Sequence, residues 1–153
     1  MMTSTTSDRE KKKVLFLCTN NSARSQMAEA LLRAMYPDRY EAYSAGVAAT
    51  SVDPRAVQAM LEIGIDISAQ RSKSSQEFQD TIFDLAVTVC DRAKQACPIC
   101  STQLLLPSKS PRAKRVIHRS FADPAATPEE EQLEAFRKVR DEIKDWITQT
   151  FGR

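Results

Sequence analysis

The sequence predicts an α/β domain in which helices cover both faces of a parallel sheet. Three observations predict it. The run VLFLC (14–18) is continuously apolar, as in a strand buried on both sides, and LAVTV (85–89) repeats the pattern. Apolar residues recur at helical spacing at Met27, Leu31 and Met35, and again at Leu133, Phe136, Val139, Ile143 and Ile147. Strands and helices alternate along the chain, the order a parallel sheet requires.

Each element has its own signals. Residues 1–12 read as a disordered lead, with the charged run DREKKK (8–13) a solvated approach to the first strand. One domain is expected over 13–153. The first strand ends on Cys18, and a polar loop leads into a helix over 25–35 that stops at Pro37 and Asp38. A second strand over 40–44 closes at Gly46. Asp53 and Pro54 open the next helix as N-cap and first helical residue, and Gly64 ends it. Ala56, Val57, Met60 and Leu61 are its expected buried face. Residues 65–67 read as a short extended piece and 72–78 as a polar loop or short helix. The third strand, 85–89, runs directly into Cys90, and a last short strand is expected over 114–117. The longest helix spans 128–151, with Trp146 at the edge of its apolar stripe and Glu129, Glu130 and Glu131 at its positive end. Residues 91–112 show no periodicity and are expected to form a mobile functional loop.

Composition excludes several classes. Lys and Arg number 22 against 20 Asp and Glu, so no basic excess points to a nucleic-acid partner. No apolar run is long enough for a membrane span or a signal-peptide core, which predicts a cytoplasmic protein. In that compartment the four cysteines, Cys18, Cys90, Cys97 and Cys100, suggest catalytic, redox or metal roles before a structural disulfide framework.

The loop after the first strand carries the chemistry. Doubly wound sheets place their sites at the carboxyl ends of strands. The three glycines, Gly46, Gly64 and Gly152, all lie elsewhere, which excludes glycine-rich nucleotide loops here. What stands there is C-x5-R-S: Cys18, Thr19, Asn20, Asn21, Ser22, Ala23, Arg24, Ser25. Backbone N–H groups of a curled loop and a helix N-terminus converge on an anion, and Arg24 grips two oxygens at once. Asn tolerates the left-handed backbone of such a curl. The same field favours a thiolate at Cys18, which becomes a nucleophile inside an oxyanion cradle.

Several separated blocks extend this reading: VLFLCTNNSARSQMAEALL, YSAG (43–46), GIDIS (64–68), VTVCDRAKQACP (87–98), FADPA (121–125) and FRKVRDEIKDWI (136–147). Together they resemble the arsenate reductases built on the low-molecular-weight protein tyrosine phosphatase fold. The resemblance implies a three-layer sandwich whose four parallel strands lie in the order 2-1-3-4. It implies that Cys18 attacks the arsenic of arsenate, that residues 19–24 hold the oxygens, and that Ser25 supports the nucleophile. Asp123, in Asp123-Pro124, matches the general acid; capping of the following helix is its alternative role. Cys90 then attacks the Cys18–arsenic adduct, Cys97 attacks Cys90, and thioredoxin or glutathione with glutaredoxin reduces the resulting disulfide. No bound cofactor or metal is implied, and phosphate or sulfate are alternative oxyanion ligands.

The chain departs from the family pattern in places. Asn20 stands where many members have Gly, and Ala23 where many have a second loop cysteine. Lys73 occupies the position of an acidic potassium ligand that, in some members, acts with the counterparts of Asn21, Glu29 and Ser44; its ammonium can stand in for that cation. Cys100 forms C-x-x-C with Cys97, leaving open a resolving role, an incidental thiol, or a zinc site of Cys90, Cys97, Cys100 and His118. Otherwise His118, the one histidine, reads as structural. The competing reading is a phosphatase using the same loop without Cys90 or Cys97. Against an aromatic substrate wall stand Gln26-Met27 after Arg24-Ser25, where phosphatases put a proline, and Ala125, where they put an aromatic residue.

Overall fold

A computed structural model describes residues 11–18, 20–46, 48–78, 80–89 and 112–152. The elements are β1 (Lys12–Cys18), α1 (Arg24–Met35), β2 (Tyr40–Gly46), α2 (Pro54–Leu61), β3 (Ile82–Phe83), β4 (Leu85–Thr88), β5 (Arg112–Ala113), β6 (Val116–His118) and α3 (Gln132–Phe151). Three 3-10 turns, Ser75–Phe78, Pro124–Ala126 and Glu129–Glu131, complete them.

β1 lies inside a four-stranded parallel sheet ordered β2-β1-β4-β6. Counted along the chain these four strands run 2-1-3-4, as expected. The alternation of side chains along β1 splits the core. Val14, Phe16 and Cys18 face α1, α2 and α3, whose Met27, Leu31, Met60, Phe136, Ile143 and Ile147 are fully buried with them. Phe16 meets Trp146 and Phe151 edge-on at 6.4 and 6.3 Å between centroids. Leu15 and Leu17 face a smaller cluster with Ala45, Phe83, Ala86 and Ala113, closed by Tyr43 and by Phe78 of a 3-10 turn.

The last expected strand divides in two. Arg112–Ala113 pairs with β3 as a separate parallel ladder, and Val116–His118 pairs with β4. Residues 65–67 form no strand, although Ile67 is buried as a core residue. The last helix opens with the 3-10 turn Glu129–Glu131 before becoming α-helical at Gln132. On α2 the expectation for Leu61 is overturned: it is 58 % exposed, and Ala59 packs inward beside Ala56 and Met60. At about 100° per residue, positions 56, 59 and 60 share a face that 61 leaves. Asp53 caps this helix as expected, its Oδ1 accepting from the Arg55 N–H at 2.8 Å.

Candidate active site

β1 delivers Cys18 to the carboxyl edge of the sheet, paired with Gly46 of β2. On the other side, Val89, which follows β4, donates its N–H to the carbonyl of Leu17 at 2.8 Å and so lies beside the end of β1. Cys18 is a free, buried thiol. After it the chain curls. Asn21 takes a left-handed conformation (φ 53°) and is fully buried; it adjoins Asn20, the residue expected to rely on asparagine's tolerance of such a curl.

The curl ties down the carbonyls of Asn20, Asn21, Ser22 and Ala23 on its outer side. Asn20 O accepts from Thr50 N–H at 3.2 Å and from Ser72 Oγ at 2.9 Å. Asn21 O accepts from Gln26 Nε2 at 3.0 Å, Ser22 O from Asp53 N–H at 2.8 Å, and Ala23 O from Met27 N–H at 2.8 Å. A loop whose consecutive carbonyls point away directs its N–H groups toward a common centre. α1 begins at Arg24 with no side-chain cap on its N-terminus, adding the positive end of a twelve-residue helix.

Arg24 and Asp123 close the site from two directions. Arg24 donates through Nη1 to the carbonyl of Phe121 at 3.1 Å, and its Nη2 lies 3.8 Å from Asp123 Oδ2. Phe121 is itself anchored, donating its N–H to Val89 O at 3.0 Å. Asp123 Oδ1 accepts from Ala125 N–H at 3.0 Å, so the residue caps the turn Pro124–Ala126 and faces the site at once. Cys18, Asn20, Ser22, Ala23, Arg24, Asp123 and Ala125 line a cavity of about 60 Å³. At about 10–15 Å³ for each water-sized group in a cavity of this kind, that is room for about the five heavy atoms of one small tetrahedral oxyanion. Ala125 gives the mouth no aromatic wall. A larger hollow of about 440 Å³ lies at the opposite edge of the sheet, around Lys12, Tyr40 and Phe151, so size alone does not locate the chemistry.

Ser25 Oγ stands 2.9 Å from Cys18 Sγ and accepts from Asn21 Nδ2 at 2.7 Å. Behind it Lys73 donates its backbone N–H to Asn21 Oδ1 at 2.7 Å and holds its ammonium 3.8 Å from Glu29. Burial holds that ammonium below the ordinary lysine range. The Glu29 carboxylate also receives Ser44 Oγ and Arg33. His118 Nδ1 pairs with the Thr88 hydroxyl at 2.7 Å, between neighbouring strands.

The fold thus brings Cys18, Asn20, Asn21, Ser22, Ala23, Arg24, Ser25 and Asp123 to one place. Thr19, Cys90, Cys97 and Cys100 lie outside the described residues. Sequence reasoning missed the contributions of Thr50, Ser72 and Gln26. Gln26 carried a signal, a neutral amide on the inward face of α1 beside Met27; backbone straps carry none.

Comparison with known proteins decides the family. The model of the low molecular weight phosphotyrosine protein phosphatase family matches residues 13–152. The chain belongs to this family. Among its relatives is an arsenate reductase of Halalkalibacterium halodurans, 44 % identical over 135 residues, covering 87 % of this chain and 90 % of that one. The arsenate reductase of Bacillus subtilis is 43 % identical over 136 residues, covering 88 % and 91 %. Among solved structures, an arsenate reductase in the phosphate-binding state superposes with a TM-score of 0.68 at 30 % identity, covering 92 % of this chain and 97 % of that one. The low molecular weight protein tyrosine phosphatase of T. tengcongensis superposes with a TM-score of 0.73 at 27 % identity, covering 93 % and 99 %.

Proposed function

We propose that the chain reduces arsenate to arsenite through a relay of Cys18, Cys90 and Cys97. The observation that carries the reading is the meeting of Cys18, Arg24 and Asp123 around a cavity sized for one tetrahedral oxyanion. The arsenate-reductase relatives choose the oxyanion.

In the proposed reaction Arg24 and the inward amides hold the arsenate oxygens. The Cys18 thiolate attacks arsenic, an S–As bond forms, and one oxygen leaves as water with a proton from Asp123. The Cys90 thiolate then attacks the Cys18 sulfur. The S–As electron pair stays on arsenic, which falls from As(V) to As(III) and departs as arsenite, while two thiols become the Cys18–Cys90 disulfide. Cys97 attacks Cys90, frees Cys18 and carries the disulfide outward. An external thiol, thioredoxin or glutathione with glutaredoxin, reduces the Cys90–Cys97 bond. The Val89–Leu17 hydrogen bond supports the second step, because it joins the residues immediately before Cys90 and Cys18.

The same cradle and acid suit hydrolysis of a phosphate ester, the second reading, and the fold likeness to a phosphatase favours it. One experiment separates them. Arsenate reduction is measured with each purified reductant, and phosphate-ester hydrolysis beside it, for the wild type, Cys90→Ser and Cys97→Ser. The relay predicts that both variants lose arsenate turnover and keep any ester hydrolysis. Arsenate turnover at the wild-type rate in Cys90→Ser would overturn it.

A further inference from the structure

We propose that Gln26 and Gln70 are positioning residues that fix the direction in which the Ser25 hydroxyl donates to Cys18. This rests on the reading of Cys18 as nucleophile.

The direction of every hydrogen bond behind the thiol follows from counting donors. Gln26 Nε2 lies 2.9 Å from Asn21 Oδ1, 3.0 Å from Asn21 O and 3.0 Å from Arg71 O. Three acceptors surround that atom, so it is the amide nitrogen; an oxygen there would face three others. Gln26 Oε1 therefore points the other way, where Gln70 Nε2 donates to it at 2.6 Å. Asn21 Oδ1 already receives Gln26 and the Lys73 N–H, so Asn21 Nδ2 must face Ser25, to which it donates at 2.7 Å. Ser25 has one proton and two acceptor lone pairs, one of them taken by Asn21 Nδ2. Once Cys18 has lost its proton its sulfur can only accept, so across the 2.9 Å to Sγ it is the Ser25 hydroxyl that donates.

The result is a one-way chain, Gln70 to Gln26 to Asn21 to Ser25 to Cys18. Gln26, Asn21 and Ser25 are fully buried, and Gln70 sits at the rim. Such a chain holds a donor aimed at the sulfur before charge develops on it, so forming the thiolate requires no rotation of the hydroxyl. Without Gln26 the Asn21 carbonyl and side chain lose a common anchor, and the Ser25 proton is no longer held toward the thiol.

The test reads Cys18 alone, in a Cys90→Ser/Cys97→Ser/Cys100→Ser background, by the rate of iodoacetamide alkylation across pH. Gln26→Met keeps volume and removes the amide. Its pH–rate profile should move about one unit upward, with the rate at pH 6.5 falling about tenfold and the high-pH plateau unchanged. Gln70→Met, at the rim, should act in the same direction by about threefold. With Ser25→Ala already present, Gln26→Met should change nothing further. An unmoved profile in folded Gln26→Met overturns the proposal, as does an equal shift in the Ser25→Ala background. Should Gln26→Met fail to fold, Gln70→Met decides: an unmoved profile there refutes the chain. Arsenate reduction by Cys18→Ser in the full chain separately tests the underlying reading. If it persists, the nucleophile assignment fails; if it is lost while the Gln26→Met profile stays put, the hydrogen-bond chain alone fails.

Discussion

Arg24 and Asp123 stand 3.8 Å apart across the mouth of the cavity, the guanidinium 14 % exposed and the carboxylate 49 %. In the proposed reaction, the residue that holds the oxyanion and the one that donates the proton are therefore each other's electrostatic neighbours. Removing the Asp123 charge acts in two opposite ways. Asp123→Asn should lower turnover of a phosphate ester by about 10²- to 10⁴-fold, the usual worth of a positioned acid. It should also tighten inhibition by free phosphate, because Arg24 no longer faces a competing carboxylate. Steady-state kinetics with phosphate as competitor reads both.

Arg24→Lys keeps one charge and loses the fork. It also abandons the carbonyl of Phe121. A charged hydrogen bond contributes about 1.5–3 kcal/mol, so kcat/KM should drop at least about tenfold. Equal activity in the lysine variant would show that field, not geometry, is what the site uses.

Asn21 holds a left-handed backbone while its side chain ties three partners. Asn21→Gly loses the ties and keeps the conformation; Asn21→Ala loses both. The alanine variant should be less stable than the glycine variant by about 1 kcal/mol, measured by urea unfolding. The reverse order would mean that the strain is relieved elsewhere in the loop.

Tyr43 supplies a pH signature. Burial, with help from a hydrogen bond to Glu41 at 2.8 Å, pushes its hydroxyl up to about 12. The folded chain thus keeps a proton that the unfolded chain gives up near pH 10. Stability from this group is complete below pH 10 and is lost as pH rises toward 12. Because the residue is only part-buried, solvent screening should hold the loss to about 1 kcal/mol. Tyr43→Phe should flatten that part of the stability-versus-pH curve; an unchanged slope would place its origin in other groups.

Much of this site was legible in the sequence because its chemistry depends on side-chain identity. A thiol at a strand end, an arginine at a helix start and an Asp-Pro before a turn are all visible as letters. Strands β1 and β4 were legible for a similar reason, since continuous apolar runs mark buried strands. Leu61 was misread because α2 makes barely two turns, too few for periodicity to outweigh the hydrophobicity of a single leucine. The β3–β5 ladder has two residues per strand and no period at all. The straps on Asn20 O and Ser22 O were invisible because a backbone N–H is supplied by nearly any residue. Gln26 was noticed only as a missing proline, while two of its partners are Gln70 and Arg71, distant in sequence.

The outward straps have a consequence for the molecule as a whole. Thr50, Asp53 and Ser72 belong to segments that reach the loop only when the chain is folded, so an unfolded chain presents no oxyanion site. Any oxyanion that binds the native protein must therefore stabilise it by linkage, about 2.7 kcal/mol at a hundredfold excess over Kd. A rise in melting temperature with added phosphate would thus report occupancy of the cradle without any turnover, even in a chain whose cysteines have been replaced.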